Sequence, residues 1–331
     1  MKSIINRKNI TRLAVAVAIW AVIALLMTTG VMSRSLQSLT MKICYYVILT
    51  LSLDLIVGYL GDLSLGHAAF YAVGGYAGCA FALYVNLPFF PKFILSLLVG
   101  GIAAAIVGFL ISKAILKLRG DYLAIVTLAF GEFIRSIVKI IPGLGETKGL
   151  IGIPSYSNRF IGFTCSYIVV LIVIIAVYNF THSRAGRAVT AIRDNSIAVA
   201  SVGIDIRKMK VLVFTIASFM AGMAGVLFGF YKNTITPSDF TYNLSIEVLV
   251  MVVLGGMGSI KGSIIASVVI VALPELLRGA SDYRMLIYAI ALIAMMMFKS
   301  NPKLTRYTER LGASIDSLKK SLSKKSGGES K

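Results

Sequence analysis

Few residues in this chain could do chemistry, and they stand in costly places. Asp54, Glu132, Arg135, Lys139, Glu247 and Glu275 fall at or within long apolar runs. An ionisable group inside a bilayer is by default paired or faces a water-filled path. Glu132 and Arg135 are three residues apart on one helical face and can pair with each other. Two readings stay open for these groups. Asp54, Glu132 or Glu247 could carry protons or sodium, or the charges could be buried pairs that hold helices in register. His67 follows a polar turn, Gly61-Asp62-Leu63-Ser64, and stands among small residues. A histidine there is more often a packing or capping group than a relay. Ser64, His67, Gly74, Gly78, Gly255, Gly256 and Gly258 are accordingly path or helix-packing candidates alongside the charged residues.

The catalytic signatures are missing. There is no GxxxxGK[ST] loop for nucleotide phosphates, and the string Gly255-Gly256-Met257-Gly258-Ser259-Ile260-Lys261-Gly262 has the wrong order for one. HExxH, CxxC and GxSxG are also missing. Cys44, Cys79 and Cys165 lack metal-ligand spacing and read as small core residues with no disulfide framework. Such a chain reads as a path rather than a catalyst, and any energy from ATP must come from another chain.

The elements that position these residues are membrane helices. Of the 331 residues 57% are hydrophobic and 14% charged, against roughly 25% charged in a soluble domain. The apolar runs exceed the roughly 9–11 residues of a barrel strand, so the spanning element is helical. Expected spans are Leu13–Val31, Ile43–Leu60, His67–Val85, Phe93–Leu116, Asp121–Ile141, Ile161–Phe180, Val211–Tyr231, Ile264–Leu277 and Met285–Phe298. Ser245–Ser263 is short and broken by glycines, and reads as a short or re-entrant helix. Gly74 and Gly78 form a GxxxG pair that lets another helix approach backbone to backbone. The fold class is therefore an all-α polytopic membrane protein of about ten transmembrane or re-entrant helices. The net charge of +19 collects on the side that places both termini in the cytoplasm, so it points to a lipid bilayer rather than nucleic acid. Residues 1–12 form a basic leader and 13–298 the membrane domain. Residues 299–331 form a basic tail, amphipathic at first and disordered at its Ser/Lys end.

The longest soluble segment of the interior is His182–Lys210, HSRAGRAVTAIRDNSIAVASVGIDIRKMK. Ser183 can cap a helix through Ala191, Asp194 or Asn195 a second through Val202, and Gly203 sits where a left-handed terminal residue belongs. A basic two-helix loop suits contact with a soluble protein or with lipid headgroups. It is also what an ordinary cytoplasmic loop obeying the positive-inside rule looks like.

Five strings in order, GDLSLGHAAFYAVGGYAG (61–78), GDYLAIVTLAFGEFIR (120–135), TKGLIGIP (147–154), SRAGRAVTAIRDNSIAVASVGID (183–205) and VLGGMGSIKGS (253–263), resemble the LivM-type permease of branched-chain amino acid ABC importers. The resemblance covers about residues 40 to 300. It implies a multi-pass subunit of the bacterial inner membrane paired with a second, LivH-type permease. Two ATPase subunits would sit beneath, and an extracytoplasmic binding protein would deliver leucine, isoleucine or valine. ATP and magnesium would sit on the partner ATPases, with no cofactor on this chain. The family's coupling loop falls on Ser183 to Lys208, with Arg184, Gly186, Arg187, Arg193, Asn195, Ala198, Gly203 and Ile204 matching its pattern. Other members carry urea, short amides or other amino acids. The competing classes are an ion-gradient-driven secondary transporter, a membrane-embedded enzyme and an assembly subunit.

Overall fold

The computed structural model describes residues 7–276, except 31, 116, 117, 119 and 157, together with 290 and 293; side-chain surroundings are described from Ala16. The chain divides into two units, 1–272 and 273–331. The expected span Met285–Phe298, apart from positions 290 and 293, and the tail 299–331 lie outside the described residues.

Apolar runs fold as helices because a bilayer offers no partner to an unpaired backbone N–H or C=O. The first unit contains α1 (Arg7–Thr28), α2 (Arg34–Asp54), α3 (His67–Tyr84), α4 (Phe89–Ile115), α5 (Asp121–Ile140) and α6 (Arg159–His182). Two short helices follow, α7 (Arg184–Asp194) and α8 (Ser196–Ser201), then α9 (Ile206–Lys232), α10 (Tyr242–Gly255) and most of α11 (Ile260–Leu276), whose last residues, Pro274 among them, fall beyond the unit's end at Ala272. Five of the described segments are long and apolar enough to cross a membrane: Arg34–Leu60, Phe89–Ile115, Arg159–His182, Ile206–Lys232 and Pro237–Gly255. The chain is thus a multi-pass helical membrane protein.

Several boundaries differ from the sequence expectation for local reasons. α1 begins at Arg7, inside the expected leader. α2 begins at Arg34, because Ser33 accepts the Leu36 N–H and starts the helix well before the apolar run. It ends in a wider π-helical turn, Leu55–Leu60, closed by Gly61 at φ 82°. The expected spans on α1, α3, α5 and α11 are not among the five membrane-length apolar segments, and of α1 the described stretch Ala16–Thr28 is a shorter apolar helix. His67, three tyrosines and three glycines lower the hydropathy of the 18-residue α3, and α5 carries Asp121, Glu132, Arg135 and Lys139. The Gly-rich 245–263 stretch resolves into a helix, a turn and a second helix. α10 itself has 14 residues, and only with the preceding turn from Pro237 does the segment reach the 19 residues of a membrane-length span, longer than the short helix the sequence suggested.

α2 is the buried centre, enclosed by α6, α9 and α10. Beside it α3, α4 and α9 meet through glycine. A Cβ on Gly74 would collide with the Gly222 backbone, one on Gly78 with the Ser96 carbonyl, and one on Gly222 with the Gly100 carbonyl. The GxxxG pair therefore seats α3 against both α4 and α9, and van der Waals contact over bare backbone holds the three together. At the end of α9 away from α7 and α8, β1 (Leu150–Ile151) pairs antiparallel with β2 (Thr234–Ile235). Cys44 and Cys79 are buried, Cys165 is partly so, and all three are free thiols.

Candidate functional site

The loop between α6 and α9 is built by caps at each corner. Ser183 Oγ accepts the Gly186 N–H at 3.1 Å and starts α7. Asn195 Oδ1 accepts the N–H groups of Ile197 and Ala198 at 3.1 and 3.0 Å and starts α8. Gly203, at φ 84°, turns the chain out of α8, and Asp205 Oδ1 accepts the Lys208 N–H at 3.2 Å to start α9. That bond, and secondarily the Lys208 ammonium, hold the Asp205 carboxyl below its usual range. Both helices run a little further than their sequence signals or stop a residue sooner, α7 to Asp194 and α8 to Ser201.

Each matching residue of the loop has a definite place. Arg184, Arg187, Asn195, Ala198 and Gly203 are exposed, and Ile204 is half-buried. Arg187 Nη1 folds back to the His182 carbonyl at 2.8 Å, covering the end of α6. Gly186 is buried, and a Cβ there would strike the Phe180 carbonyl, so its role is close packing of α7 on α6. The outward tip is apolar: Ile197 is 81% and Val202 78% exposed.

Arg193 turns the other way, into the membrane domain. Its Nη1 donates to the Gly58 carbonyl at 2.7 Å in the π turn, while Nε and Nη2 reach Asp194 Oδ1 at 3.2 Å. Its stem lies over Gly61, where a Cβ would sit 2.6 Å from the Arg193 Cγ. Gly58 in turn faces Asp54 and Gly258 with no room for a side chain. Asp54, 1% exposed, accepts the Gly258 N–H through Oδ1 at 2.9 Å and the Ser263 hydroxyl through Oδ2 at 3.2 Å. The carboxylate therefore fastens the Gly256–Ser259 turn to α2 and gives a buried N–H its partner. Gly256 and Gly258, at φ 96° and 78°, supply the left-handed backbone of that turn. Gly255 packs on Gly262 across it. Three separate elements, α7, the end of α2 and the α10–α11 turn, converge on Arg193 and Asp54.

A second tie lies beside the first. Lys210 Nζ donates to Asp62 Oδ1 and Oδ2 at 2.8 and 2.6 Å, with both side chains largely buried. It joins the start of α9 to the turn before α3.

The remaining candidates do not gather at this junction. Glu132 accepts from Arg135 Nε at 2.8 Å within α5, the pairing their spacing allows. Glu247 on α10 accepts from the Tyr46 hydroxyl at 3.2 Å. His67, fully buried, lies 2.6 Å from Ser52 Oγ through Nε2, while its Nδ1 and the Ser64 hydroxyl have no hydrogen-bond partner among the described residues. Among the described residues no group of three or more His, Cys, Asp or Glu could hold a metal ion. Gly58, Asp62, Lys210 and Ser263 are structural members of the site that spacing alone did not single out. The one available signal was Asp54 four residues before Gly58, a carboxylate one helical turn from a bare backbone position.

Residues 35–298 match the family described as "Branched-chain amino acid transport system / permease component". The high-affinity branched-chain amino acid transport system permease protein LivM of Escherichia coli is 34% identical over 298 residues, covering 81% of this chain and 69% of that one. The probable branched-chain amino acid transport permease protein LivM of Methanocaldococcus jannaschii is 30% identical over 179 residues, 51% of each chain. The fructose import permease protein FruG of Bifidobacterium longum is 23% identical over 258 residues, covering 71% of this chain and 72% of that one. No solved structure gives a significant match. The chain belongs to the branched-chain amino acid transport system permease family.

Proposed function

We propose that this chain is the membrane permease subunit of an ATP-driven importer of leucine, isoleucine and valine. It forms the translocation path with a second, LivH-type permease and receives substrate from an extracytoplasmic binding protein. Two ATPase subunits, which hold ATP and magnesium, dock on α7 and α8. In this reading the protein sits in the bacterial inner membrane with about ten transmembrane or re-entrant helices. Both termini and the α7–α8 loop face the cytoplasm. Residues 1–12 form its leader, 13–298 its membrane domain and 299–331 its tail.

One observation carries the coupling role: the α7–α8 loop presents an apolar tip outward and is tied inward by Arg193 to the Gly58 carbonyl, in the π turn that follows Asp54. A loop gripped at both faces moves as a lever. Closure of the ATPases would shift α7 and the start of α9; Arg193 would pass the shift to the end of α2, and Lys210 to the turn before α3. Arg184, Arg187, Asn195, Ala198, Gly203 and Ile204 form or shape the docking side, while Gly186 and Arg193 seat the loop on the membrane domain.

The test is a gentle-detergent pull-down of the tagged chain from its native membrane, comparing wild type with Ile197→Glu and Ala198→Glu. Wild type is expected to bring down two ATPase chains and a second permease, and both variants to lose the ATPases while keeping the permease. Undiminished ATPase recovery in both variants would remove this loop as the docking site. A chain that came down alone and still moved solute without ATP would remove the importer reading altogether.

A further inference from the structure

A shallow groove of about 510 Å³ opens between the end of α4 and the start of α9, lined by Phe109, Lys113, Arg207, Lys208, Val211, Leu212 and Thr215. Its floor is apolar and its rim is basic. Phe109 and Leu212 are 39% and 36% exposed, and beside them α4 carries an exposed stripe, Leu98, Ile102, Ile106 and Leu110, spaced one per turn toward the middle of the span. Lys113 Nζ lies over the Phe109 ring at 4.1 Å. Lys208 reaches Asp205 at 3.5 Å across the surface. Among the described residues, neither Lys113 nor Arg207 has an ion-pair partner.

The position of these cations needs an explanation. Lys113 stands in the last turn of α4, where the negative end of the helix dipole favours a cation. Arg207 and Lys208 stand in the first turn of α9, where the dipole opposes them. Three cations around one apolar channel, against the single carboxylate of Asp205, leave a positive field open to an anion. The channel below runs along a membrane helix, so the matching ligand is negative at one end and apolar along its length.

We infer that this groove binds one anionic phospholipid of the adjacent leaflet, its phosphate between Lys113 and Arg207 and an acyl chain along the Phe109–Leu212 floor. Assigning that leaflet to the cytoplasmic face rests on the proposed orientation of α7 and α8; the lipid chemistry does not. Arg supplies a forked donor set for phosphate oxygens, Lys a point charge, and the alkyl stems of both extend the apolar floor.

The experiment is native mass spectrometry of the transporter complex released in mild detergent, with phosphatidylglycerol or phosphatidylcholine of identical chains added. Wild type is expected to retain phosphatidylglycerol at least several-fold over phosphatidylcholine. Lys113→Gln with Arg207→Gln is expected to abolish that preference. Leu212→Trp, which fills the channel and keeps every charge, is expected to lose the phosphatidylglycerol adduct as well. Equal retention of the two lipids by wild type, or full phosphatidylglycerol retention by the charge variant, would overturn the assignment. Loss of ATPase chains from the charge variant with lipid retained would overturn it too, showing a protein contact at this groove. Displacement of phosphatidylglycerol by inorganic phosphate alone would show a headgroup site without the acyl channel and would likewise reject it. Labelling of Lys208→Cys from the cell exterior would refute the orientation while leaving the lipid result standing.

Discussion

Arg193 Nη1 donates to the Gly58 carbonyl at 2.7 Å, across 135 residues of sequence, and this bond links the α7–α8 loop directly to the π turn that ends α2. A charge-assisted hydrogen bond contributes about 1.5–3 kcal/mol, equivalent to roughly one to two decades in an equilibrium constant. Arg193→Ala is therefore expected to lower transport at least about tenfold while ATPase subunits still copurify. Arg193→Lys, which keeps the charge and one donor, is expected to recover part of the loss. The readout is substrate uptake in proteoliposomes beside the subunit composition of the same preparation. Normal uptake by Arg193→Ala would show that the loop moves the path without this link.

Asp54 separates two mechanisms. As a cap on the Gly258 N–H it can be replaced by an amide, whose oxygen still accepts that bond. As a proton carrier it cannot. Asp54→Asn is expected to retain most transport. Asp54→Ala is expected to lose it, because a buried N–H without a partner costs about 1–3 kcal/mol. Uptake by the two variants, with and without a proton gradient, decides the matter; an inactive Asp54→Asn in a normally assembled complex would restore the carrier reading.

The glycine contacts predict a sharp positional contrast. Gly74→Ala places a Cβ into the Gly222 backbone, whereas Gly143→Ala meets nothing within 4 Å. Overpacking a close contact costs about 1–3 kcal/mol or more, so Gly74→Ala is expected to lower the thermal midpoint in detergent and the monodisperse yield, and Gly143→Ala to change neither. Equal midpoints for both variants would mean that α3 can draw back from α9 without cost.

The cap on α9 has a defined pH response. Asp205's folded carboxyl lies below its ordinary value because the Lys208 N–H, then the Lys208 charge, favour the ionised form. A lowered folded pKa contributes stability above the ordinary carboxylate range, and that contribution is lost as pH falls through the folded value. Protection of the Lys208 amide, its exchange rate relative to the intrinsic rate at each pH, is expected to fall on acidification in wild type. Asp205→Asn, still a good cap, is expected to remove that dependence. An identical exchange profile in both would show that the carboxylate contributes nothing to the cap.

Local features were legible and distant ones were not. Ser183, Asn195 and Gly203 could be read as caps because each acts on groups within a few residues. Gly74 and Gly78 announced a close helix approach, but not that α4 and α9 both supply it. Arg193 illustrates the limit. Its spacing puts it in a basic outward loop, yet its partner, Gly58, is a backbone carbonyl that no residue type reveals. The partner of Asp54 is likewise a backbone N–H at Gly258. Charge made α5 conspicuous, and the pairing of Glu132 with Arg135 could be read from their spacing alone. The expected spans on α3 and α5 rested on run length. Tertiary burial of small residues and the charges of α5 give those helices a different character from lipid-facing ones.

The bond from Gly258 to Asp54 also sets an order of manufacture. Its two ends are 204 residues apart, and the Ser263 hydroxyl comes five residues later still. At a synthesis rate of about 5–20 residues per second, α2 emerges roughly 10–40 s before either donor exists. Through that interval the nascent chain holds a carboxyl in the helix that will become its most deeply buried span, with neither final partner. Water, lipid headgroups or the insertion machinery must shelter α2 until the α10–α11 turn arrives to close the molecule around it.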